Sequence, residues 1–275
     1  MSNQNALGER MKEYEYISRT SLMRRNPVII RLDGKAFHTF TRNMQKPFDQ
    51  ILIKTMQSTM LDLCQNIQGC VLGYAQSDEI SLLLVDYKAL NSEAWFDYEI
   101  QKIVSISASM ATLYFNSYFR NYVSSEQEFY EFLNDANSEY ADYLNNLINK
   151  FNKAMFDSRV FSLPKEEITN YFYWRQQDAT RNSIQMCGQY YFSHNELQHK
   201  SCDIIQDMLF TQKGINWNNF STTEKRGSCA KKNKEKIVVD MRLGEKFTRP
   251  AWGIDYNIPI FLNEGRNYID ELILI

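Results

Sequence analysis

Apolar residues recur along the first half of the chain at two different periods. Residues 28–32 form a nearly unbroken apolar run that ends on Asp33-Gly34, the pattern of a buried strand stopping on a carboxylate with an open backbone beside it. Leu52, Met56, Met60, Leu63 and Ile67 then fall at spacings of four, four, three and four, which is one face of a helix. Segments 71–76 and 80–85 predict two strands joined by the tight polar turn Ser77-Asp78-Glu79. Within 95–119, Ile100, Ile103, Ser107, Met110 and Tyr114 share one helical face, with Val104, Ala108, Ala111 and Phe115 beside them. A further strand spans 156–163 and is closed by Pro164. The order strand, helix, strand, strand, helix, strand predicts an α+β, ferredoxin-like palm, a four-stranded antiparallel sheet with both helices on one face.

The remaining segments attach to this frame. Residues 7–23 are polar and helix-compatible. Residues 124–153 are rich in Glu, Asn, Asp and Tyr, yet Phe129, Phe132, Tyr140, Tyr143, Leu144 and Ile148 keep helical spacing, so the segment reads as an inserted helical excursion. After Lys165 the composition turns helical, then loop-like at 214–227 and strand-like at 236–241. The expected division is a palm-like catalytic domain at 1–163 with the insertion inside it, and an α-rich C-terminal region at 164–275 with a basic loop.

Composition narrows the function classes. Hydrophobic residues make up 44% and charged residues 23% of the 275, with five prolines and ten glycines, which predicts a chain folded almost throughout. A net charge of −2 offers no global attraction to nucleic acid, so a polyanion would have to be gripped by a local patch or through metal ions. Five cysteines without a CxxC pair, and the lack of a charged start followed by an apolar stretch, predict reduced thiols and a cytoplasmic protein. Basic residues within 1–25 leave a mitochondrial destination open. No apolar run is long enough to span a membrane.

Placed in one sheet, Asp33, Asp78 and Glu79 would converge on one edge, the arrangement that two Mg²⁺ ions about 3.5–4 Å apart need for phosphoryl or nucleotidyl transfer. The stretch Gly34-Lys35-Ala36-Phe37-His38 would offer consecutive backbone amides to a triphosphate. Arg31, Lys35, Arg42, Lys46 and Lys102 are candidate phosphate partners, Lys102 because it interrupts an apolar helix surface. His194, His199 and Cys202 have zinc-compatible spacing, but a missing fourth ligand argues against zinc. Lys225, Arg226, Lys231, Lys232, Lys234 and Lys236 form the densest basic run, flanked by Trp217 and Phe220, and read either as an RNA-backbone contact or as a solvated hairpin loop.

Four ordered blocks carry a family resemblance: Val28-Ile-Ile-Arg-Leu-Asp-Gly-Lys-Ala-Phe-His38, Tyr74-Ala-Gln-Ser-Asp-Glu79, Phe156-Asp-Ser-Arg-Val160 and Trp174-Arg-Gln-Gln-Asp178. Together they resemble the histidine-tRNA guanylyltransferase superfamily, whose members add nucleotides to the 5′ end of RNA. The resemblance implies a palm fold, two Mg²⁺ ions, ATP and GTP or other nucleoside triphosphates as substrates, tRNA or tRNA-like RNA as partner, and a homotetramer. It implies Asp33, Asp78 and the Gly34 carbonyl as metal ligands, with Glu79 beside them. It further implies Gly34, Lys35, Ala36, Phe37 and His38 as the triphosphate cradle, Lys46 and Ser77 as nucleotide contacts, Arg31 and Lys102 as triphosphate contacts, and Arg159 as a conformational or RNA-facing arginine. Members that mature histidine tRNA carry His-Ile-Asn-Asn-Leu-Tyr-Asn after the last block. Here that place reads Ala179-Thr-Arg-Asn-Ser-Ile-Gln185, which resembles the guanylyltransferase-like 3′-to-5′ polymerase branch. The expected activity is therefore template-dependent repair of tRNA 5′ ends. The alternatives are addition of the extra guanylate to histidine tRNA, a nucleotidyl cyclase, and a non-catalytic RNA-binding protein.

Overall fold

A computed structural model of the chain describes residues 2–132, 138–239 and 246–274. Helix α1 (Ser2–Ile17) precedes strand β1 (Val28–Gly34), the single turn α2 (Phe37–Phe40) and helix α3 (Gln50–Asn66). The hairpin β2 (Cys70–Gln76) and β3 (Glu79–Leu84) follows, then α4 (Ile100–Phe132), α5 (Ser138–Ile148) and β4 (Phe156–Ser162). The second half holds α6 (Lys165–Tyr191), α7 (His194–Leu197), α8 (Cys202–Lys213), α9 (Thr222–Arg226), the strands β5 (Ser228–Val239) and β6 (Lys246–Asp255), and α10 (Asn267–Ile273).

The strands form one antiparallel sheet in the order β4-β1-β3-β2-β5-β6. Its first four strands are the expected ferredoxin-like set. Alternation along β1 assigns the two faces. Val28, Ile30 and Leu32 point toward α3 and α4, where they join Met60, Leu63, Ile103, Phe115 and Phe119, all without solvent exposure. Ile29 points the other way and packs with Leu72, Leu83, Ile168, Phe172 and Ile269. The palm is therefore covered on its second face too, by α6 and α10. Every residue of β3 is buried, as a strand covered on both sides requires. Among the described residues, no helix is long and apolar enough to cross a membrane.

Three expectations change. The helix sought over 95–119 starts only at Ile100, because Phe96 and Asp97 take left-handed conformations, and it runs on to Phe132 into the segment read as an insertion. The insertion is thus the far end of α4 and the returning α5. The strand expected in the α-rich C-terminal region begins earlier: β5 starts at Ser228 and joins the palm sheet, with Ala75 opposite Ser228 and Tyr74 opposite Cys229. Finally, the basic run is not a loop, since Lys225 and Arg226 close α9 while Lys231 and Lys232 lie in β5. The strand expected at 236–241 falls within β5 as far as Val239, and 240–241 lie outside the described residues.

Phe115 is the aromatic hinge between helix and sheet. Its ring centroid lies 5.4 Å from that of Phe37, 5.8 Å from Phe119 and 5.4 Å from Phe156. Because Phe37 belongs to the predicted triphosphate cradle, this packing ties the core to the site. Phe115→Ala should cost about 3–5 kcal/mol, read as a lowered urea midpoint with an unchanged slope.

Candidate active site

Antiparallel register assembles the charged row. Asp33 stands opposite Glu79 on β3 and opposite Asp157 on β4. One pair of residues back along β1, Arg31 stands opposite Ser81 and Arg159. Residues facing each other across antiparallel strands project to the same side, so three carboxylates line up across the sheet on the α6 face, with two arginines in the next row. Arg159 lies on the exposed edge strand and pairs with Asp157 at 3.4 Å. Arg31 is half-buried, and its Nε has no hydrogen-bond acceptor.

Glu79 is buried and is neutralised from α6. Arg175 Nε donates to Glu79 Oε1 at 2.8 Å, and Arg175 Nη2 donates to Asp178 Oδ2 at 2.6 Å. Arg181 donates to the other oxygen of Asp178 at 2.7 Å, and the Arg175 guanidinium lies 4.3 Å from the centroid of the Trp174 ring. Burial raises the Glu79 carboxyl above its ordinary range, Arg175 and Arg31 pull it back, and Asp33 raises it again. Glu79 thus stands opposite Asp33 with its charge met by Arg175. Glu79 is spent on Arg175, and among the described residues no three His, Cys, Asp or Glu side chains form a ready metal cage.

Asp33 and Asp78 are different. The Gly34 amide donates to the Asp78 carbonyl at 3.0 Å, which fastens the exit of β1 to the hairpin turn. Ser77 bends that turn with φ 50° and donates its hydroxyl to Asp78 Oδ1 at 3.0 Å. Burial raises the Asp78 carboxyl; the Ser77 hydrogen bond lowers it, and the neighbouring Asp33 raises it. Among the described residues, neither Asp33 nor Asp78 has an ion-pair partner.

A cleft of about 470 Å³ opens beside these carboxylates, and Gly34, Ala36, Phe37, His38, Lys46, Ser77 and Asp78 line it. A Cβ at position 34 would collide with the Phe37 ring, so the close approach demands glycine. Ala36 takes the left-handed conformation at φ 54°, and the chain turns directly into α2. The Lys35 amide donates to Met155 O at 2.9 Å, whereas those of Ala36, Phe37 and His38 find no backbone acceptor among the described residues. Consecutive unpaired amides beside a cleft form an anion-binding nest.

Other predicted residues lie elsewhere. Lys102 pairs with Glu99 at 3.7 Å in the first turn of α4. Ten residues further along α4, Thr112 Oγ1 accepts from the Phe156 amide, beside Gly34. At 1.5 Å per residue that separation is about 15 Å, so within one chain Lys102 does not reach the cleft. Lys225 is tied down, donating to Asn218 O at 2.6 Å. Arg226 lines a small pocket that adjoins the cleft at Ser77, and its Nε is buried without an acceptor. Sequence reasoning quoted Asp157, Arg175 and Asp178 inside motifs but gave them no role. The i,i+3 pairing of Arg175 with Asp178 on a helix, and the alternation Asp157, Arg159 on a strand, were the available signals.

Arg175→Gln should leave Glu79 buried without its cation and cost about 3–5 kcal/mol at neutral pH. With the opposing charge gone, the folded state holds the Glu79 proton more tightly than the unfolded chain, whose ordinary value is 4.5. That protonated state contributes stability below the unfolded value and loses it as pH rises through the folded one. Urea titrations should therefore find wild type and variant closest below about pH 4 and furthest apart at neutrality.

Comparison with known proteins places this geometry. A bacterial tRNA(His) guanylyltransferase (Thg1)-like protein in complex with ATP is 39% identical, with a TM-score of 0.79 over 98% of this chain and 100% of that one. A bacterial protein of the same description in complex with GTP is 35% identical, with a TM-score of 0.73 and the same coverage. The tRNA(His) guanylyltransferase of Saccharomyces cerevisiae is 26% identical over 231 residues, 78% of this chain and 86% of that protein. The family model for tRNAHis guanylyltransferase matches residues 8–164, a span that holds β1, the hairpin, both unpaired aspartates and every residue lining the cleft except Met186. The chain belongs to the tRNAHis guanylyltransferase family and is a nucleotidyltransferase.

Proposed function

We propose that this nucleotidyltransferase adds nucleotides to the 5′ end of tRNA, and that the cleft beside Asp33 and Asp78 holds the nucleoside triphosphate. One observation carries the reading: Asp78, with Asp33 close enough to raise its carboxyl and neither paired with a cation among the described residues, lines a cleft whose wall presents unpaired amides. The donor set fits Mg²⁺, a hard cation that takes one or two carboxylates and completes its shell with waters and substrate phosphates. Asp33, Asp78 and the Gly34 carbonyl would hold two such ions. When bound, the metal lowers the pKa of the attacking hydroxyl and neutralises charge on the triphosphate.

The chain's own residues do the remaining work. The amides of Ala36, Phe37 and His38 hold the triphosphate, and Lys46 and Ser77 border the nucleotide. Asp33 and Asp78 fix where the charge of the reaction is met, while Arg175 keeps Glu79 from competing for the same cation. Arg226 lines the pocket beside Ser77, where an RNA phosphate would meet its positive charge, and Arg159 presents its guanidinium on the sheet edge. The neighbours' complexes with ATP and with GTP support both as substrates here. The proposal includes a homotetramer, which rests on the family resemblance, and a reducing compartment such as the cytoplasm, which the five free thiols support.

The comparisons favour guanylate addition to histidine tRNA over the repair activity expected at first, because the family and the yeast relative bear that name. Template-directed repair remains the second reading. It rests on residues 179–185, which depart from the histidine-tRNA block and, through Ala179 and Ser183, line the small pocket that also contains Ser77 and Arg226.

Incubation of 5′-monophosphorylated tRNA with ATP, Mg²⁺ and each nucleoside triphosphate in turn separates the readings. Guanylate added whatever base lies opposite supports the first reading, and addition only of the complementary nucleotide supports repair. In either case Asp33→Ala and Asp78→Ala should lower turnover by about a thousandfold or more while RNA affinity persists. Turnover retained in Asp78→Ala would refute the site.

A further inference from the structure

The loop between α2 and α3 forms one wall of the nucleotide cleft, contributing Met44, Gln45, Lys46, Pro47 and Asp49. Only Met44 and Asp49 are buried there; Gln45 and Lys46 are exposed. A wall made of exposed loop residues needs an external support to keep one shape.

That support comes from the inserted helix. Tyr143 OH donates to Asp49 Oδ2 at 2.8 Å. Asn146 Nδ2 donates to Asn43 O at 2.9 Å, and Lys150 Nζ donates to Arg42 O at 2.8 Å. The three donors are spaced by three and four residues, which puts them on one side of α5 and its continuation. The opposite demand, burial, is met by Leu144 at 2% exposure and Leu147 at 0%, which join α5 to the core. Tyr143 is itself steadied by Tyr140, whose ring centroid lies 5.6 Å away and whose hydroxyl donates to Glu126 on α4 at 3.2 Å.

Asp49 is the point where this support meets the site. Its Oδ1 accepts from the Leu52 amide at 3.0 Å and so caps α3, while Oδ2 accepts from the Gln45 amide at 3.0 Å as well as from Tyr143. The carboxylate is 5% exposed and has no ion-pair partner among the described residues. Three donors replace the cation it lacks, and one of the three comes from the insertion. Burial and the nearby Asp49 charge both raise the Tyr143 phenol, so it remains a donor across the physiological range.

We infer that Tyr143, with Asn146 and Lys150, is a positioning residue for nucleotide binding: α5 clamps the loop that presents Lys46 to the cleft, and the insertion is part of the nucleotide site. The inference rests on the cleft being the nucleoside triphosphate site. It assigns the insertion a task that composition alone did not reveal. None of the three residues touches the cleft, so their effect is confined to how firmly its wall is held.

The test measures equilibrium binding of a fluorescent ATP analogue with Mg²⁺ to the full chain, alongside steady-state kinetics with GTP as the varied substrate. Tyr143→Phe should raise the analogue's Kd and the KM for GTP about tenfold, the loss of one hydrogen bond to a charged acceptor. Turnover at saturation should stay within about twofold and RNA affinity should not move. Asn146→Ala should shift the same two quantities in the same direction. Asn145→Ala, on the exposed side of α5 and away from both the loop and the core, serves as the control and should leave Kd unchanged. An unchanged Kd in Tyr143→Phe, or an equal rise in Asn145→Ala, overturns the clamp alone. A wild-type protein that binds no nucleotide overturns the proposed function and the clamp with it.

Discussion

Asp33 and Glu79 are forced side by side by the antiparallel pairing of β1 with β3, and among the described residues Glu79 has an ion-pair partner whereas Asp33 has none. Two carboxylates on neighbouring strands repel, and like charges directly opposite destabilise a sheet. Arg175, reaching across from α6, removes one half of that conflict. The other half, Asp33 with the adjacent Asp78, stays uncompensated beside an open cleft. The remaining features of the site follow from this asymmetry, because it leaves two acidic side chains available to an incoming cation and sequesters the third.

The asymmetry also explains why the two halves of the chain form one unit. Without α6, Glu79 would be a bare carboxylate on a sheet face; without the sheet, α6 would have nowhere to bury Arg175. Tyr171 on the same helix shares a hydrogen bond of 2.8 Å with Ser81, and Gln176 holds the C-terminal segment through Pro259 O at 2.9 Å and the Phe261 amide at 3.0 Å. Helix α6 is thus pinned at successive turns, and the position of Arg175 is set by its neighbours before any substrate arrives. Preorganisation of this kind is what a charge-stabilising site requires. The loop on the other side of the cleft is held in a comparable way, through Asp49 and the helix that returns from α4.

The palm was legible in the sequence because its signals are local. A nearly unbroken apolar run ending in Asp-Gly, two short runs around a polar turn and two helical faces leave little freedom of element order. The acidic turn at Asp78 and the glycine at position 34 were legible for the same reason, since turn chemistry is written in adjacent residues. The partner of Glu79 was not, because Arg175 lies 96 positions away and nothing in its own neighbourhood names what it will meet. The β5 strand was obscured by its lysines: only Ser228, Cys229 and Ala230 contact β2, too few residues to show a period of two, and the rest of the strand looks like a charged loop. Lys102 was legible only as an oddity. It stood out among apolar neighbours, and it lies exposed in the first turn of α4, paired with Glu99 at 3.7 Å. The tyrosines of the insertion showed helical spacing, but which of them would reach a buried carboxylate depended on how α5 folds back.

The most direct test of the central claim is a crystal structure of this protein with Mn²⁺ and a non-hydrolysable nucleoside triphosphate, read through the anomalous signal of the metal. The account predicts metal density between the Asp33 and Asp78 carboxylates, with the triphosphate against the amides of Ala36, Phe37 and His38, and with the Arg175–Glu79 pair intact. Metal bound to Glu79 with Arg175 displaced, or a triphosphate seated away from the Gly34–His38 turn, would contradict it.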